Sequence, residues 1–462
     1  MADRLSALDV SFLYLEEATT PMHVGGLVTL QPPETGFDYD LLVALIENRI
    51  GLVPRYRQKI KNVPGHFANP VWVDDGDFDV TYHVRRSALP RPGSDAQLRE
   101  LVARLMSRRL DRHRPLWEIY LVEGLAGGRI ALITKTHHAM VDGRSAVDLG
   151  QVLLDVTPIP RDTGEDLWMP APEPGLVELV SGAVGEYIRR PSAVVDTVRS
   201  SVADVRATAG RVAGALAGVA SAARLASRPA PTSPLNARIG EQRRFGVSRT
   251  SLDDYKRVRK AHGGTVNDVV LATVSLALRN WLLSRGEPVN PKTSVRAMVP
   301  LSVRAEAGPG ALGNQISSYL VDLPVGEANP KVVLAQISYS MKAHKESGQS
   351  VGADALIALS GFAPPTLHSL GARVASGFSR RLFNVVVTNV PGPQFPLYAG
   401  GAKLLEMFPV VPLAKGQAVS IGLTSYNGGV FYGLNADRDA MGDVDVLGAL
   451  IEESLAALLE TV

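Results

Sequence analysis

The sequence predicts a protein of mixed helices and strands, folded into at least two globular units. The chain has 462 residues, which is more than one ordinary hydrophobic core organises. With 45% hydrophobic and 20% charged residues, its composition is that of a folded protein and argues against general disorder. Along the chain, runs that are typical of strands are interspersed with runs of helical period.

The composition excludes several kinds of site. The chain has no cysteine, so it has no disulfide, no thiolate nucleophile and no cysteine-based metal site, and this fits a reducing compartment. A net charge of +2, from 48 basic and 46 acidic residues, is not the footprint of a nucleic-acid-binding protein. The first 17 residues include four acids and no sustained apolar core, unlike a signal peptide. We therefore expect a cytoplasmic protein.

The most informative stretch runs from residue 127 to residue 156. Arg129–Thr136 is a β-branched run of period two that predicts a strand, and His137 and His138 follow it. Beyond the turn, apolar side chains recur at helical spacing, and Asp142 stands where an N-cap carboxylate would accept the first free amides. The sequence therefore predicts two histidines at a strand end and an acid that opens the next helix.

Three interpretations of these side chains are open at this point. Because successive side chains on a strand point to opposite faces, at most one of His137 and His138 faces a given cavity. That imidazole would suit general base catalysis, since it can take a proton from a hydroxyl during group transfer. The plainer interpretation is a satisfied polar turn. A metal site is the third, although adjacent histidines diverge and no cysteine assists them.

The histidines belong to a longer pattern, since residues 137–143 spell HHxxxDG. This resembles the active-site motif of the coenzyme A-dependent acyltransferase superfamily, which includes chloramphenicol acetyltransferase and peptide-synthetase condensation domains. Within this superfamily, the chain looks like a member of the bacterial wax ester synthase/diacylglycerol acyltransferase family, and specifically like its mycobacterial-type triacylglycerol synthases. The other segments that carry the resemblance are LSALDVSFLYLE from residue 5, TPMHVG from residue 20, PLW from residue 115, NDVVLA from residue 267 and NVPGP from residue 389.

The resemblance, which covers nearly the whole chain, implies an α/β fold. Two chloramphenicol-acetyltransferase-like subdomains, each a mixed sheet flanked by helices, would face a tunnel at their interface. The expected boundaries are 1–165 for the N-terminal subdomain that carries HHxxxDG, 166–238 for a helical interdomain connector and 239–462 for the C-terminal subdomain. Arginines of the connector would suit anionic headgroups, so peripheral contact with the inner membrane face or with a lipid droplet is a further expectation.

The resemblance also implies an acyl-coenzyme A-dependent O-acyltransferase that esterifies diacylglycerol to make triacylglycerol. The expected partners are long-chain acyl-coenzyme A and diacylglycerol, with direct transfer in a ternary complex and neither a metal nor a redox cofactor. A long-chain fatty alcohol, which would give a wax ester, is the alternative acceptor. From other classes, a condensation enzyme that acts on an amine and a lipid-binding protein without activity remain alternatives.

The motif implies a role for each residue that matches it. His138 is the expected general base, carried over from the second histidine of the family motif. His137 and Asp142 would complete the catalytic set by shaping the site. In the superfamily the motif aspartate pairs with an arginine, and Arg304, in the family-like context MVPLSVR, is the expected partner of Asp142.

Four further residues are candidates outside the histidine pair. Asn267 and Gly143 are expected to bind substrate or to stabilise the oxyanion, the latter through nearby backbone amides. Asp268 and Trp117 are expected to support the site structurally, and Trp117 should lie beside the motif strand. For Asn267 and Asp268, capping of the helix that they open is the competing interpretation.

Other patterns carry weaker expectations. The basic run Arg55–Lys61 is expected to be either a solvated face or a site of attraction for coenzyme A phosphates and anionic headgroups. Gly308–Gly313 fits GxGxxG and Gly348–Gly352 fits GxSxG, but the flanking sequence of neither fits a dinucleotide site or a nucleophile elbow. A strand is expected over Trp72–His83, and the segment Asn389–Pro393 is expected to set a turn.

Overall fold

The structure is a computed structural model of the chain. It describes residues 3–64, 68–140, 149–164, 166–179, 229–302, 316–347, 351–352 and 382–462. Several expectations fall outside these ranges: those for Asp142, Gly143 and Arg304, those for most of the connector, and those for both glycine-rich motifs apart from residues 351–352.

Helices and strands are mixed along the described chain. The helices are α1 (Ala7–Leu15), α2 (Tyr39–Arg49), α3 (Val80–His83), α4 (Asp95–Met106), α5 (Leu149–Leu153), α6 (Leu252–His262), α7 (Val266–Ser284), α8 (Pro330–Ser347) and α9 (Val444–Leu459). The strands are β1 (Asp3–Arg4), β2 (His23–Gln31), β3 (Gln58–Lys61), β4 (Val71–Asp74), β5 (Val84–Ala88), β6 (Trp117–Glu123), β7 (Ile130–His137), β8 (Arg243–Ser251), β9 (Val295–Ser302), β10 (Ile316–Leu323), β11 (Val351–Gly352), β12 (Val385–Pro391), β13 (Tyr398–Ala399), β14 (Ala402–Val410), β15 (Val419–Tyr426) and β16 (Gly429–Asp437).

The strand that leads into the histidine pair, β7, lies inside a sheet. The described strands of this first sheet follow the order β13-β14-β2-β7-β6-β5. β7 is antiparallel to β2, where His137 pairs with His23, and to β6, where Thr136 pairs with Trp117. β6 and β7 form a hairpin, which puts Trp117 beside the motif strand as expected. Because β7 is paired on both sides and almost wholly buried, its end is a rigid place for a catalytic group.

The second sheet belongs to the later part of the chain. Its described strands follow the order β11-β10-β9-β12-β15-β16-β8, and α7, α8 and α9 share one continuous apolar core with it. Within this core, Trp281 of α7 is fully buried and its indole N–H donates to Asp443 at 3.0 Å. Among the described helices, α7 alone is long and apolar enough to cross a membrane. However, 72% of its apolar 18-residue stretch is buried in the fold, as in the core helix of a globular protein.

The two sheets are joined through β14. This strand follows β12 of the second sheet in the chain, yet it pairs with β2 of the first sheet from Lys403 to Val410. It passes the second sheet at Pro409, which lies against Gly422 and Gly433, cross-strand neighbours on β15 and β16. A Cβ atom on Gly433 would lie 1.9 Å from the Pro409 carbonyl oxygen, so only glycine permits this approach.

The structure differs from the sequence-based prediction at two elements. The strand expected over Trp72–His83 is wrong, because β4 ends at Asp74 and the chain then turns and forms α3. Asp79 caps α3 by accepting from Thr81 N–H, so the acidic run after β4 serves a turn and a helix start. The turn expected at Asn389–Pro393 is also wrong in part, because residues 389–391 are the last of β12.

The basic run is neither a solvated face nor an open anion site. Each of its four cations forms an ion pair with a carboxylate of another segment: Arg55 with Asp3, Arg57 with Asp166, Lys59 with Asp75 and Lys61 with Glu173. Two of these partners come from the segment 166–174, so the cations bind that segment to the N-terminal part of the fold. The expected attraction of coenzyme A phosphates therefore has no support here.

Candidate active site

The strand β7 ends at His137, and His138–Met140 forms a 3₁₀ turn directly after it. The backbone of the turn is fixed, because His137 N–H donates to the Leu116 carbonyl at 2.9 Å and His138 N–H to the Met22 carbonyl at 2.8 Å. The two imidazoles diverge, since His137 is 1% exposed and His138 is half-buried. Of the two, His138 is the more exposed.

The His137 imidazole faces the protein interior. Its Nδ1 accepts a hydrogen bond from Ala139 N–H at 3.0 Å, which places the ring proton on Nε2. That Nε2 is buried and lies 3.8 Å from Oε1 of Glu16. Burial lowers the pKa of His137 to about 3, and the neighbouring Arg112 and His138 act in the same direction. The ring is therefore neutral at physiological pH and orders the turn without carrying charge.

The His138 imidazole lies against the first helix of the chain. It stacks on the ring of Phe12 in α1, with the ring centroids 4.4 Å apart and the planes 18° from parallel. Burial lowers the pKa of His138 to about 4. At neutral pH the ring is therefore uncharged and able to accept a proton. Because the site disfavours the charged imidazolium, a proton taken up there would be passed on readily.

An ion pair between the buried carboxylate of Glu16 and the exposed guanidinium of Arg112 connects α1 to the histidine turn. Glu16, the residue after α1, is 9% exposed, and its Oε2 accepts from Nε and Nη2 of Arg112 at 3.0 and 2.6 Å. Its Oε1 accepts from Met22 N–H at 3.4 Å, and the Met22 carbonyl accepts from His138 N–H. The sequence alone did not predict this role of Glu16. The available signal was that the glutamate closes the family-like segment LSALDVSFLYLE.

A buried cation on the same strand was also missed. Lys135 lies two residues before His137, on the same face of β7, and is 1% exposed. Its Nζ donates to the Arg108 carbonyl at 2.5 Å and lies 3.7 Å from the Glu118 carboxylate. Burial lowers the pKa of Lys135 to about 8. A lysine in a strand run normally indicates an outward side chain, so the sequence offered no signal for this burial.

Trp117 lies in the core beneath the motif strand. It is fully buried, and its indole N–H donates to the Tyr56 carbonyl at 2.7 Å. Its ring stacks on His83 with centroids 4.5 Å apart, and His83 Nδ1 lies 2.8 Å from the Trp117 carbonyl oxygen. These contacts fit structural support of β6 and β7 and leave no surface of the indole for substrate.

Asn267 and Asp268 open helix α7 in the second half of the chain. Asp268 is part of a capping box, because its carboxylate accepts from Thr265 N–H at 2.8 Å while its own N–H donates to the Thr265 hydroxyl at 3.1 Å. The carboxylate also accepts from Ser338 of α8 at 2.9 Å. Asn267 is half-buried, and its Oδ1 accepts from Asn389 of β12 at 3.3 Å. No hydrogen bond joins Asn267 to either histidine in the part of the chain that the structure describes.

The remaining candidates, Asp142, Gly143 and Arg304, lie outside the described residues. The tunnel is likewise not seen among the described parts. There, a surface cavity of about 470 Å³ is lined by residues of β8, α6 and α9 and by the β15–β16 turn, and neither histidine lines it. Within the same ranges, no group of three His, Asp or Glu side chains is arranged to hold a metal ion.

The chain matches two family models. Residues 5–270 match the wax ester synthase/diacylglycerol acyltransferase catalytic domain, and residues 312–459 match the C-terminal domain of the same family. The first match includes the histidine turn, α1 and the start of α7, and the second includes β14 and α9.

Named relatives and a solved structure agree with these matches. The Mycobacterium tuberculosis protein named "Probable diacyglycerol O-acyltransferase tgs3" is 50% identical over 260 residues, which are 56% of this chain and 96% of that protein. The protein named tgs2 from the same organism is 35% identical over 477 residues, covering 100% of this chain and 99% of its own. The solved wax ester synthase/diacylglycerol acyltransferase from Marinobacter aquaeolei VT8 has a TM-score of 0.70 at 29% identity, covering 99% of both chains. The α/β fold with two sheet-rich halves, expected from the sequence, is thereby confirmed, and the chain belongs to the wax ester synthase/diacylglycerol acyltransferase family.

Proposed function

We propose that this protein is an acyl-coenzyme A-dependent O-acyltransferase that transfers a long-chain acyl group to diacylglycerol and makes triacylglycerol. The observation that carries the proposal is the neutral, half-buried imidazole of His138 at the end of β7, in the HHxxxDG of a chain of this family. The matched Mycobacterium tuberculosis relatives are named for the same activity. A long-chain alcohol is the second acceptor, because the full-length structural match is named as a wax ester synthase as well.

In the proposed reaction the acceptor hydroxyl attacks the thioester carbonyl directly, within a complex that holds both substrates. His138 takes the hydroxyl proton as the new carbon–oxygen bond forms. The tetrahedral oxyanion then collapses, the carbon–sulfur bond breaks, and the imidazolium returns its proton to the leaving thiolate. The lowered pKa of His138 keeps the ring neutral before the first step and favours return of the proton to the thiolate in the second. It also makes the ring a weaker base in the first step.

The other candidate residues are proposed to support this step. His137, held in the interior by Ala139 and beside Glu16, orders the turn from which His138 projects. Asp142 is proposed to stiffen the same turn by pairing with Arg304. Asn267 is the proposed donor to the oxyanion, because the bond from Asn389 occupies its Oδ1 and reserves its Nδ2 for donation. Backbone amides near Gly143 are the second proposed donors.

We place the reaction at the cytoplasmic side of a lipid surface, in reversible contact with it. The substrates require this, because diacylglycerol and its product stay in lipid. The described segment between residues 156 and 177 supports it, because it exposes several large apolar side chains, namely Val156, Ile159, Leu167, Met169, Leu176 and Val177.

The test is an acceptor panel with two variants. Thiol release from palmitoyl-coenzyme A is measured with diacylglycerol, hexadecanol, an amine or no acceptor, and the lipid products are separated and identified. We expect thiol release only when an acceptor alcohol is present, with diacylglycerol preferred and hexadecanol second. In His138→Ala the rate of release should fall by about 10²- to 10⁴-fold, as expected for loss of a general base. His113→Ala, which changes an exposed histidine, is the matched control and should keep wild-type activity.

Each alternative has its own signature in this panel. Release that does not depend on an acceptor would indicate a thioesterase, and release that depends on an amine would indicate a condensation enzyme. If wild type binds both substrates but releases no thiol, the protein is a lipid binder. If His138→Ala matches His113→Ala, the assignment of the base to His138 is wrong.

A further inference from the structure

The first helix of the chain contacts the side chain of His138, and the residue after that helix is connected to the backbone of His138 through Met22. Phe12 of α1 stacks on the imidazole at a centroid distance of 4.4 Å. Glu16, the residue after α1, accepts from the N–H of Met22, and the carbonyl of the same residue accepts from His138 N–H. α1 is itself well defined, since Ser6 and Asp9 form a capping box at its start. The ring and the turn of the proposed base are therefore held by one element that is distant from them in the chain.

We propose that α1 is a positioning element for His138, in which Phe12 sets the plane of the imidazole and the Glu16–Arg112 ion pair fixes the turn that carries it. The inference rests on the proposed function, because it concerns the residue proposed as the base. None of these three residues is proposed to touch the reacting atoms.

The contact with Phe12 limits the imidazole in two ways. A ring stacked nearly parallel, at 18°, restricts rotation about the side-chain bonds of His138 and so restricts where its proton-accepting nitrogen points. The same contact covers one face of the imidazole and keeps water from it, in accord with the burial that lowers the pKa of His138. Loss of the aromatic ring should therefore misorient the base and let water reach it.

The ion pair acts on the backbone. The two carboxylate oxygens of Glu16 make different contacts. Oε2 accepts two hydrogen bonds from Arg112, whereas Oε1 accepts from Met22 N–H and lies 3.8 Å from Nε2 of His137. Arg112 also donates to the Leu13 carbonyl at 2.8 Å, near the end of α1. The charged and titratable groups near the histidine turn include Glu16, Arg112 and His137, together with His23 of β2, which pairs with His137, and Lys135 of β7, which interacts with Glu16. Glu16 and Arg112 neutralise each other.

Two phenylalanine variants and a matched control test the ring contact. Phe12→Leu removes the aromatic face, and Phe12→Tyr keeps it. Phe78→Leu is the control, because Phe78 is also half-buried and also stacks on a histidine, His83, at 5.4 Å and 18°. We expect kcat to fall about tenfold or more in Phe12→Leu with less than a twofold change in KM for acyl-coenzyme A, and to return to within twofold of wild type in Phe12→Tyr.

The ring titration provides a readout that does not depend on activity. In protein with isotope-labelled histidine, the His138 signal is assigned by its loss in His138→Ala and followed by NMR against pH. We expect the His138 midpoint to rise by at least one pH unit in Phe12→Leu and to stay in place in Phe78→Leu. For the ion pair, Glu16→Gln should lower kcat at least tenfold, whereas Glu17→Gln, which changes the neighbouring glutamate that pairs with Lys415, should not.

The outcomes separate this inference from the proposed function. If His138→Ala is inactive but Phe12→Leu has wild-type kcat and an unmoved His138 titration, the positioning role of Phe12 is overturned and the proposed function stands. If wild type forms neither triacylglycerol nor wax ester, the proposed function is overturned, and if His138→Ala is fully active, the assignment of the base to His138 is overturned. In both cases the titration alone then decides whether Phe12 positions the ring. If Glu16→Gln retains wild-type kcat, or merely unfolds at a lower temperature without loss of kcat, the role of the ion pair is overturned.

Discussion

At the scale of single residues, burial keeps the histidines of the first sheet neutral, so the free energy of unfolding depends on pH. The pKa of His137 is lowered to about 3, against an ordinary value of about 6.5 in an unfolded chain. Below pH 6.5 the unfolded chain therefore binds a proton that the folded chain refuses. The contribution of His137 to the free energy of unfolding is therefore fully present above pH 6.5. It is lost as the pH falls towards 3, at roughly 1.4 kcal/mol per pH unit.

This coupling predicts a specific result for His137→Asn. The asparagine carbonyl can still accept from Ala139 N–H, but it does not titrate, so the free energy of unfolding should fall less steeply between pH 6 and pH 4.5 than in wild type, by roughly 1.4 kcal/mol per pH unit. Denaturant unfolding at a series of pH values measures the slope. His113→Asn, at an exposed histidine, should keep the wild-type slope. Equal slopes in all three proteins would mean that His137 is not held neutral.

The sequence predicted the divergence of His137 and His138 but not their surroundings. Divergence follows from the period of two in a strand, which is local information. The contacts of the pair come from Phe12, Glu16 and Arg112, which are near in space and distant in the chain. Their identity as contacts depends on which strands pair and where α1 packs, and no periodicity encodes that.

At the scale of elements, runs with a clear period or cap were predicted well. The strand expected over Arg129–Thr136 is observed as β7, Ile130–His137, and the helix expected to open at Asn267 and Asp268 is observed as α7. The failures occurred where a strand is short or where its end carries turn-forming residues. β4 ends at the acidic turn that precedes α3, and β12 continues through Asn389 and Pro391 because pairing with β15 overrides the local preference of those residues for turns. Tertiary pairing decides such ends, and the sequence around them does not.

The contact of β14 with the second sheet predicts a severe effect of Gly433→Ala. An added methyl group would lie 1.9 Å from the Pro409 carbonyl oxygen, and backbone atoms there cannot move without shifting β14 away from β2. We expect a loss of at least about 1–3 kcal/mol in the free energy of unfolding, as for overpacked cores, measured by denaturant unfolding.

A second glycine provides the comparison for this substitution. A Cβ on Gly240 would find its nearest neighbours, carboxylate oxygens, at 3.7 and 3.9 Å, which is ordinary contact. Gly240→Ala should therefore change stability by less than about 1 kcal/mol. Equal stability of the two variants would show that β14 does not approach the glycine pair as closely as described.

At the scale of the whole molecule, the two sheets depend on each other. β14 comes from the C-terminal part of the chain but supplies β2 with a neighbour over seven paired positions. Across the same joint, Arg249 of β8 bridges Glu406 of β14 at 2.5 Å and Asp95 of α4 at 3.3 Å. Boundaries drawn at 165 and 239 from the sequence remain a proposal, and they do not divide the molecule into parts that each hold a complete sheet. The sequence did not predict that β14 would pair with β2 of the first sheet, because β14 has the pattern of an ordinary strand.

This arrangement predicts how a divided chain behaves. A fragment of residues 1–228 would leave β2 with an unpaired edge and would uncover the apolar surface that Phe408 covers, so we expect it to aggregate when expressed alone. Co-expression with residues 229–462 should restore soluble protein that co-purifies through a tag on either fragment. Phe408→Asp in the second fragment should abolish the rescue, because it places a charge at a position 1% exposed. Lys403→Asp, at an exposed position of the same strand, should not. A soluble, monomeric fragment of residues 1–228 would show that the first sheet is stable without β14, and the mutual dependence of the two sheets would then be wrong.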